Sequence, residues 1–310
     1  MGVFVFLPLV LPLTALPIAR LAGQYLHPRA ATRLLTATAT ALATCSTLCL
    51  ALLMVVGTAQ LPGNPLPDGW SDPEVRAVVP YAEVSGTVAI AALVAVLLSC
   101  ALTLARHYRV RHRARRALAG LPAEPALAVL PDPEPYAYAL PGAPGRVVVS
   151  TGMLDCLEGA ERRALIAHEQ AHLTGRHHRY LLAVQLAASL NPFLRPLREA
   201  VAYATERWAD EDAAQAVGDR RLTARAVGKA ALHTHHNPHP GLAAFTTAGP
   251  VPRRVAALLA PVPPSHRWPP AHTPAGLAAL IAAAGTAASA ASATNAAVAL
   301  LLVLKAATPL

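Results

Sequence analysis

Charged residues are scarce in this chain of 310 residues. Asp, Glu, Lys and Arg make up 14% of it, whereas about 25% is usual in a soluble domain. Lysine is almost missing, since only Lys229 and Lys305 occur, and arginine therefore carries nearly all of the net charge of +9. The hydrophobic fraction of 54% excludes a disordered protein, because disorder requires low hydrophobicity, and the composition argues against a wholly soluble one.

Paired cysteines are also missing. The four cysteines form no CxxC motif, and three of them fall within apolar stretches. They are Cys45, Cys49, Cys100 and Cys156. The sequence therefore predicts neither a disulfide framework nor a zinc site built on cysteine, and we expect these side chains to be small buried groups.

Four stretches without charge are long enough to cross a bilayer, which takes about 20 residues. They cover residues 3–19, 34–61, 84–105 and 276–304. The first could instead be a signal peptide, but no basic residue precedes it, which favours a retained helix. We therefore predict three membrane helices in residues 1–105, a polar domain in 106–265, and a proline-rich connector with a fourth helix in 266–310.

Arginine is distributed unevenly between these stretches. Loop 20–33 has three arginines and no acid, loop 62–83 is mainly acidic, and six arginines follow in 106–116. Because positive loops stay in the cytoplasm, the N-terminus is predicted outside the cell membrane and the polar domain in the cytoplasm. The arginine run could bind nucleic acid, but lipid headgroups explain it more simply, and no direct nucleic-acid binding is expected.

The segment 161–178, ERRALIAHEQAHLTGRHH, carries the clearest chemical signal. It has no Gly or Pro before Gly175, which predicts a helix that ends there. His168 and His172 are four residues apart and share one helix face, where both imidazoles can bind one metal ion. Glu169 lies about 100° around the helix, where it could act as the general base of an HExxH zinc site. His177 and His178 follow the predicted helix end and are not expected to be ligands.

A second helix-compatible stretch, residues 197–217, offers the third protein ligand that a zinc site requires. Glu206 and Asp210 are four residues apart on one face. Glu206 could complete a His2Glu site, and Asp210 could accept a hydrogen bond from a ligand imidazole. The alternative is that both acids belong to a solvated face with Glu211 and Asp212.

Two short strands, residues 136–140 and 147–149, are predicted around a Pro-Gly turn just before the metal-binding helix. A zinc endopeptidase often holds its substrate in extended form along an exposed strand edge. Either strand could have this role, or both could be purely structural.

The order of these pieces resembles that of the BlaR/MecR-type membrane metallopeptidases, which couple β-lactam sensing to destruction of a DNA-binding repressor. The matching pieces are ALPG at 139–142, HEQAH at 168–172, Asn191-Pro192, and Glu206 with Asp210, within a resemblance that covers about residues 84–260. HtpX-type and CAAX prenyl proteases share the HExxH and ExxxD motifs, but the Asn-Pro break and the order of spans favour the BlaR/MecR type.

The resemblance implies a mainly α, multi-span membrane protein with a cytoplasmic α+β, gluzincin-like domain. It implies one zinc ion per chain held by His168, His172 and Glu206, with Glu169 as the base and Asp210 behind the ligands. It also implies a residue that stabilises the oxyanion or closes the site. The candidates are His233, His235, His236, His239, Arg253 and Arg254.

Together these features predict a membrane-bound zinc endopeptidase that cleaves a protein substrate, by resemblance a winged-helix repressor of the BlaI/MecI kind. The chain has no SxxK motif followed by KTG, so we do not expect it to sense a β-lactam by acylation of a penicillin-binding domain. The alternatives are an HtpX-like protease for membrane-protein quality control and a catalytically silent membrane signalling protein.

Overall fold

The structure, a computed structural model, describes residues 2–77, 79–117, 126–234, 251–263, 270 and 272–308. The described residues are mainly helical, with one small sheet. The α-helices are α1 (Leu7–Val10), α2 (Ala15–Tyr25), α3 (Pro28–Ala59), α4 (Pro73–Ala77), α5 (Ala82–Ala117), α6 (Thr151–Asp155), α7 (Gly159–Thr174), α8 (His177–Leu190), α9 (Arg195–Val217), α10 (Arg220–His233), α11 (Val251–Leu259) and α12 (Pro274–Ala307). Short 3-10 turns cover Gly2–Phe6, Leu11–Thr14, Asp68–Ser71 and Pro192–Leu194.

Within the described residues, four helices are long and apolar enough to cross a membrane, as the sequence predicts. They are Phe4–Gly23, Pro28–Ala59, Ala82–Arg116 and Gly276–Ala307. The first alternates between 3-10 and α-helical turns, because its prolines supply no backbone N–H for the helical ladder. The second begins six residues before the predicted stretch and ends two residues inside it, and the third extends eleven residues past its predicted end.

Helices α3 and α5 touch through their backbones near one end. A Cβ atom on Gly57 would collide with the backbone of Gly86, and a Cβ on Gly86 would collide with that of Gly57. Small residues let two apolar helices approach this closely. The contact therefore fixes the register of α3 against α5.

The far end of α5 packs on a three-stranded sheet formed by β1 (Leu127–Leu130), β2 (Ala137–Leu140) and β3 (Arg146–Ser150). Ala114 of α5 shares a small core with β1, β2 and β3. The central strand β3 pairs antiparallel with β2 and parallel with β1. The hairpin of β2 and β3 follows the prediction, whereas β1 was not predicted.

Helix α7 begins with a capping box in which the Glu158 and Glu161 side chains each accept a hydrogen bond from the other residue's backbone N–H. Two orphan donors at the helix start are satisfied in this way. The helix ends at Thr174, with Gly175 as its C-cap, where the sequence places the end.

Helices α8 and α9 share a core with the membrane helices. Val184 of α8 and Val201 of α9 are fully buried against Leu35 of α3 and Ile18 of α2. The helix that carries Glu206 and Asp210 is therefore held directly by two of the membrane helices.

Candidate metal centre

Three side chains from α7 and α9 bring their donor atoms together. His168, His172 and Glu206 each offer one ligand atom, and these atoms lie within 4.8 Å of one another. The two Nε2 atoms are 3.1 Å apart. The Glu206 carboxylate oxygens lie 3.5 Å from Nε2 of His168 and 3.4 Å from Nε2 of His172. The i, i+4 spacing on α7 aligns the imidazoles, and the packing of α9 on α7 adds the carboxylate.

The donor set fits a zinc ion. Ligand atoms at zinc-to-nitrogen and zinc-to-oxygen distances of about 2.0–2.2 Å in a tetrahedral site lie about 3.3 Å from one another. The two Nε2 atoms are 3.1 Å apart, and each lies 3.4–3.5 Å from one of the two Glu206 oxygens, Oε2 for His168 and Oε1 for His172. Among the described residues, Oε1 of Glu206 is buried without a hydrogen-bond partner. A buried carboxylate oxygen of this kind requires a cation or a donor, and a metal ion at the centre of the three atoms would supply it.

Asp210 and Arg254 hold the ligand side chains in place through hydrogen bonds and ion pairs. Asp210 Oδ1 lies 3.2 Å from Nδ1 of His168. Arg254 Nε and Nη2 donate to the two Asp210 oxygens at 2.8 Å and 2.6 Å, and its Nη1 lies 3.0 Å from Glu206 Oε2. Such a bidentate pair fixes the carboxylate orientation. With Nδ1 of His168 directed at Asp210, Nε2 is left to bind a metal.

The charges of these groups follow from burial and pairing. Burial alone would raise the pKa of Glu206, but Arg254 and the two histidines lower it to about 2. Burial also opposes protonation of His168, yet its carboxylate partners Asp210 and Glu206 raise its pKa to about 10. Burial lowers the pKa of His172 to about 4. Without a metal, His168 is thus a cation, His172 is neutral and Glu206 is an anion at neutral pH.

The two acids do not belong to a solvated face, which was the alternative considered from the sequence. Glu206 is 1% exposed and Asp210 is 0% exposed. Their neighbours point elsewhere: Glu211 pairs with Arg207 and Arg220, and Asp212 pairs with Arg29. These pairs lie on other faces of α9, away from the metal-binding atoms.

Glu169 is buried next to the donor atoms and faces the strand β2. Its carboxylate accepts a hydrogen bond from the backbone N–H of Ala139, and burial raises its pKa to about 7. Its Oε2 has no hydrogen-bond partner in the part of the chain that the structure describes. A carboxylate that can gain and lose a proton near neutral pH suits a general base.

An open groove lies along one side of the centre. His168, Glu169, Glu206 and Arg254 form its polar floor, and its apolar walls include Met153, Leu165, Val227 and Val255. Ala137 of β2 lines this groove, while Tyr138 and Ala139 line a narrow cavity on the other side of Glu169. Because β3 is the central strand, β2 is the one of the two predicted strands that is an edge strand beside the site in the described part of the chain, and on that edge the Ala139 N–H donates to Glu169.

His177, which the sequence predicts not to be a ligand, contributes to the site as a partner of the ligand His172. It is 0% exposed, and its Nδ1 lies 2.9 Å from Nδ1 of His172. Its ring packs on the Trp208 ring, with centroids 4.5 Å apart. Arg176 adopts a left-handed conformation, with φ of 52°, and turns the chain so that His177 comes back to α7. If Nε2 of His172 binds the metal, its Nδ1 donates to His177, which fixes the tautomer.

The His177 contact can be tested with two substitutions that separate hydrogen bonding from packing. His177→Asn keeps an acceptor near the position of Nδ1 but removes the ring, whereas His177→Phe keeps the ring against Trp208 but removes the acceptor. We expect His177→Phe to weaken zinc binding by about 10- to 100-fold and His177→Asn to bind zinc nearly as the parent does. Chelator competition measures both affinities, and the reverse order would assign His177 to packing alone.

Zinc affinity should depend on pH, because the metal must displace a proton from His168. The pKa of His168 is raised to about 10 without metal, so its ring is protonated throughout the neutral range. At least one proton is released for each zinc bound, and the affinity should fall about tenfold or more for each unit of pH lowered from 8 to 6. Chelator competition across this range tests the expectation, and a flat profile would contradict it.

The remaining candidates for stabilising the oxyanion or closing the site are four histidines and two arginines. His233 is exposed at the end of α10 and is not among the residues that line the groove. His235, His236 and His239 lie outside the described residues. Arg253 is exposed and lies over the Tyr203 ring, 4.8 Å from its centroid. Of the two arginines, Arg254 is therefore the one that reaches the site.

Comparison with known protein families gives one match. Residues 103–195 match the family described as Peptidase family M48. The matched region contains β1 to β3 and the whole of α7, but it ends before Glu206 and Asp210. Neither the curated proteins nor the solved structures gave a match. The match supports a zinc metallopeptidase for the HExxH region, while the third ligand depends on the geometry.

Proposed function

We propose that this protein is a membrane-bound zinc endopeptidase. The observation that carries the proposal is the triangle of His168 Nε2, His172 Nε2 and a Glu206 oxygen, with the buried Glu169 carboxylate next to it. A catalytic zinc site uses three protein ligands of this type and leaves one position open. The match of residues 103–195 to peptidase family M48 supports the same reaction.

When bound, zinc would act as a Lewis acid that polarises the scissile carbonyl and makes water a better nucleophile at neutral pH. Glu169 would take a proton from the attacking water and pass it to the leaving amine, for which its raised pKa is suited. Asp210 and Arg254 would hold His168 and Glu206 in orientation. His177 would do the same for His172.

The edge of strand β2 suggests how a peptide would bind. A substrate segment in extended form can add to this edge through backbone hydrogen bonds, and the adjacent groove offers apolar walls for its side chains. We propose a cytoplasmic orientation on the basis of the arginines in residues 20–33 and 106–116 and the mainly acidic loop 62–83. A winged-helix repressor of the BlaI/MecI kind stays the predicted substrate, on the resemblance alone.

Metal removal tests the proposed function directly. The purified full chain in detergent should contain about one zinc per chain by elemental analysis and should cleave an unfolded protein such as casein. A chelator should abolish cleavage, and added zinc should restore it. A chain that holds no zinc, or whose cleavage activity persists after complete metal removal, would contradict the proposal.

The substrate can then be sought with a trapping variant. Glu169→Gln should retain zinc and hold a bound substrate without cleaving it. Capture of a winged-helix repressor would support the regulatory reading, whereas capture of many unrelated membrane proteins would favour the HtpX-like one.

A further inference from the structure

The turn between α8 and α9 contains no charged residue. It comes just before α9, and Glu206 of the metal centre follows it by about 12 to 15 residues. Residues 180–194 contain no charged side chain, and Arg179 and Arg195 bracket them. The turn, Asn191–Leu194, exposes Phe193, which is 56% accessible. Across residues 180–194, some apolar side chains are buried in the protein core and others, such as Phe193, are exposed.

Two hydrogen bonds fix this turn against the membrane helices. Ser189 Oγ lies 2.9 Å from Thr103 Oγ1 of α5. Asn191 Nδ2 donates to Ser46 Oγ of α3 at 3.3 Å. Thr103 and Ser46 both fall inside the charge-free stretches of their helices. The turn therefore lies beside helix segments that are expected to be in the bilayer.

The depth of the turn follows from helix geometry. The charge-free part of α5, residues 84–105, is about 33 Å long, and a hydrocarbon core is about 30 Å thick. Arg106 thus marks one boundary of the core. Thr103, which contacts Ser189, lies about 4.5 Å inside Arg106. Ser46, counted from the contact of Gly57 with Gly86, lies level with a point of α5 that is about 13 Å inside Arg106. The two anchors therefore place the turn about 4 to 13 Å inside the boundary.

The backbone N–H groups of the turn all donate within the protein. Asn191 N–H donates to Ala187 O, and Leu194 N–H donates to Asn191 O. Phe193 N–H donates to Asn191 Oδ1, and Pro192 has no N–H to satisfy. Irregular backbone is tolerated at membrane depth only when its hydrogen bonds are made within the protein, and every backbone N–H of this turn meets that condition.

We propose that residues 189–194 are inserted into the hydrocarbon core on the side of Arg106, with Phe193 in contact with lipid acyl chains. The insertion anchors α9, on which Glu206 lies about 18 Å back from Leu194. Measured along α9, that distance places the metal centre about 5 to 14 Å outside the level of Arg106. His107 and Arg111, which follow Arg106 on α5, line the cavity beside Glu169 and His172. This contact agrees with a metal centre outside the level of Arg106. The proposal goes beyond the peptidase function and does not depend on zinc.

Spin-label accessibility in lipid vesicles tests the proposal. The native cysteines are replaced by alanine, and a nitroxide is attached to Phe193→Cys in the full chain, reconstituted in phosphatidylcholine and phosphatidylglycerol. Two exposed leucines serve as matched controls. Leu98, 57% exposed in the middle of α5, represents lipid contact, and Leu232, 73% exposed on α10, represents water. Collision rates with oxygen and with a water-soluble nickel complex report the surroundings of each label.

The label at 193 is expected to behave as the label at 98, with frequent collisions with oxygen and few with nickel. Agreement with position 232 would overturn the proposal, and so would shielding from both reagents, which would indicate a protein contact such as a second copy of the chain. If the cysteine-free chain does not fold, Phe193→Trp and Leu232→Trp in the native background replace it. Brominated acyl chains should then quench the added fluorescence at 193 but not at 232, and quenching at neither position would equally overturn the proposal.

Discussion

Glu169→Gln is expected to lower the cleavage rate by about 10²- to 10⁴-fold, the range usual for loss of a general base. Glutamine has the size of glutamate but cannot accept the proton at neutral pH. The side chain is 4% exposed and is not one of the three clustered ligand residues. Zinc content and zinc affinity should therefore stay close to those of the parent, so that the loss appears in kcat.

The matched control for this change is Glu161→Gln. Glu161 lies two turns earlier on α7, is equally buried, and accepts hydrogen bonds from Lys229 Nζ at 2.8 Å and from Glu158 N–H at 3.0 Å. Glutamine can still close the capping box, so the control should retain activity within about tenfold. Full activity of Glu169→Gln would contradict its role as the base. Loss of zinc in that variant would make Glu169 a ligand or a structural group.

The local parts of the site could be predicted from the sequence because they depend on helix geometry alone. The i, i+4 spacing places His168 above His172 on any α-helix, and Gly175 ends α7 as predicted. The four apolar helices could be recognised in the same way, since hydrophobic length is a local property. The hairpin of β2 and β3 follows from adjacent strands joined by a turn.

Contacts between distant segments could not be predicted from local pattern. The approach of Arg254 to Asp210 depends on the packing of α11 against α9, and the two arginines 253 and 254 are indistinguishable in sequence. The strand β1 is four residues long and is defined by its parallel pairing with β3. The contact of His177 with His172 depends on the left-handed conformation of Arg176, which redirects the chain after the end of α7 and leaves no clear signal in the sequence.

Arg254→Met is expected to destabilise the metal-free protein by about 3–5 kcal/mol, the usual cost of breaking a buried ion pair from one side. Arg254 is 7% exposed and forms the charge-assisted contacts with Asp210 and Glu206, which are fully buried. Its removal leaves two carboxylates with only His168 to offset their charge. Methionine fills a similar volume, so the loss should reflect charge more than packing.

The neighbouring arginine provides the control for this last prediction. Arg253 has the same chemistry, but it is exposed and rests on the Tyr203 ring, so Arg253→Met should cost no more than about 1 kcal/mol. Thermal unfolding in detergent measures both variants, with and without zinc. Bound zinc should restore part of the stability that Arg254→Met loses, because the metal would supply positive charge to Glu206 but not to Asp210. Equal stability of the two variants would show that the carboxylates do not depend on Arg254, and the arrangement of α11 against α9 would then be wrong.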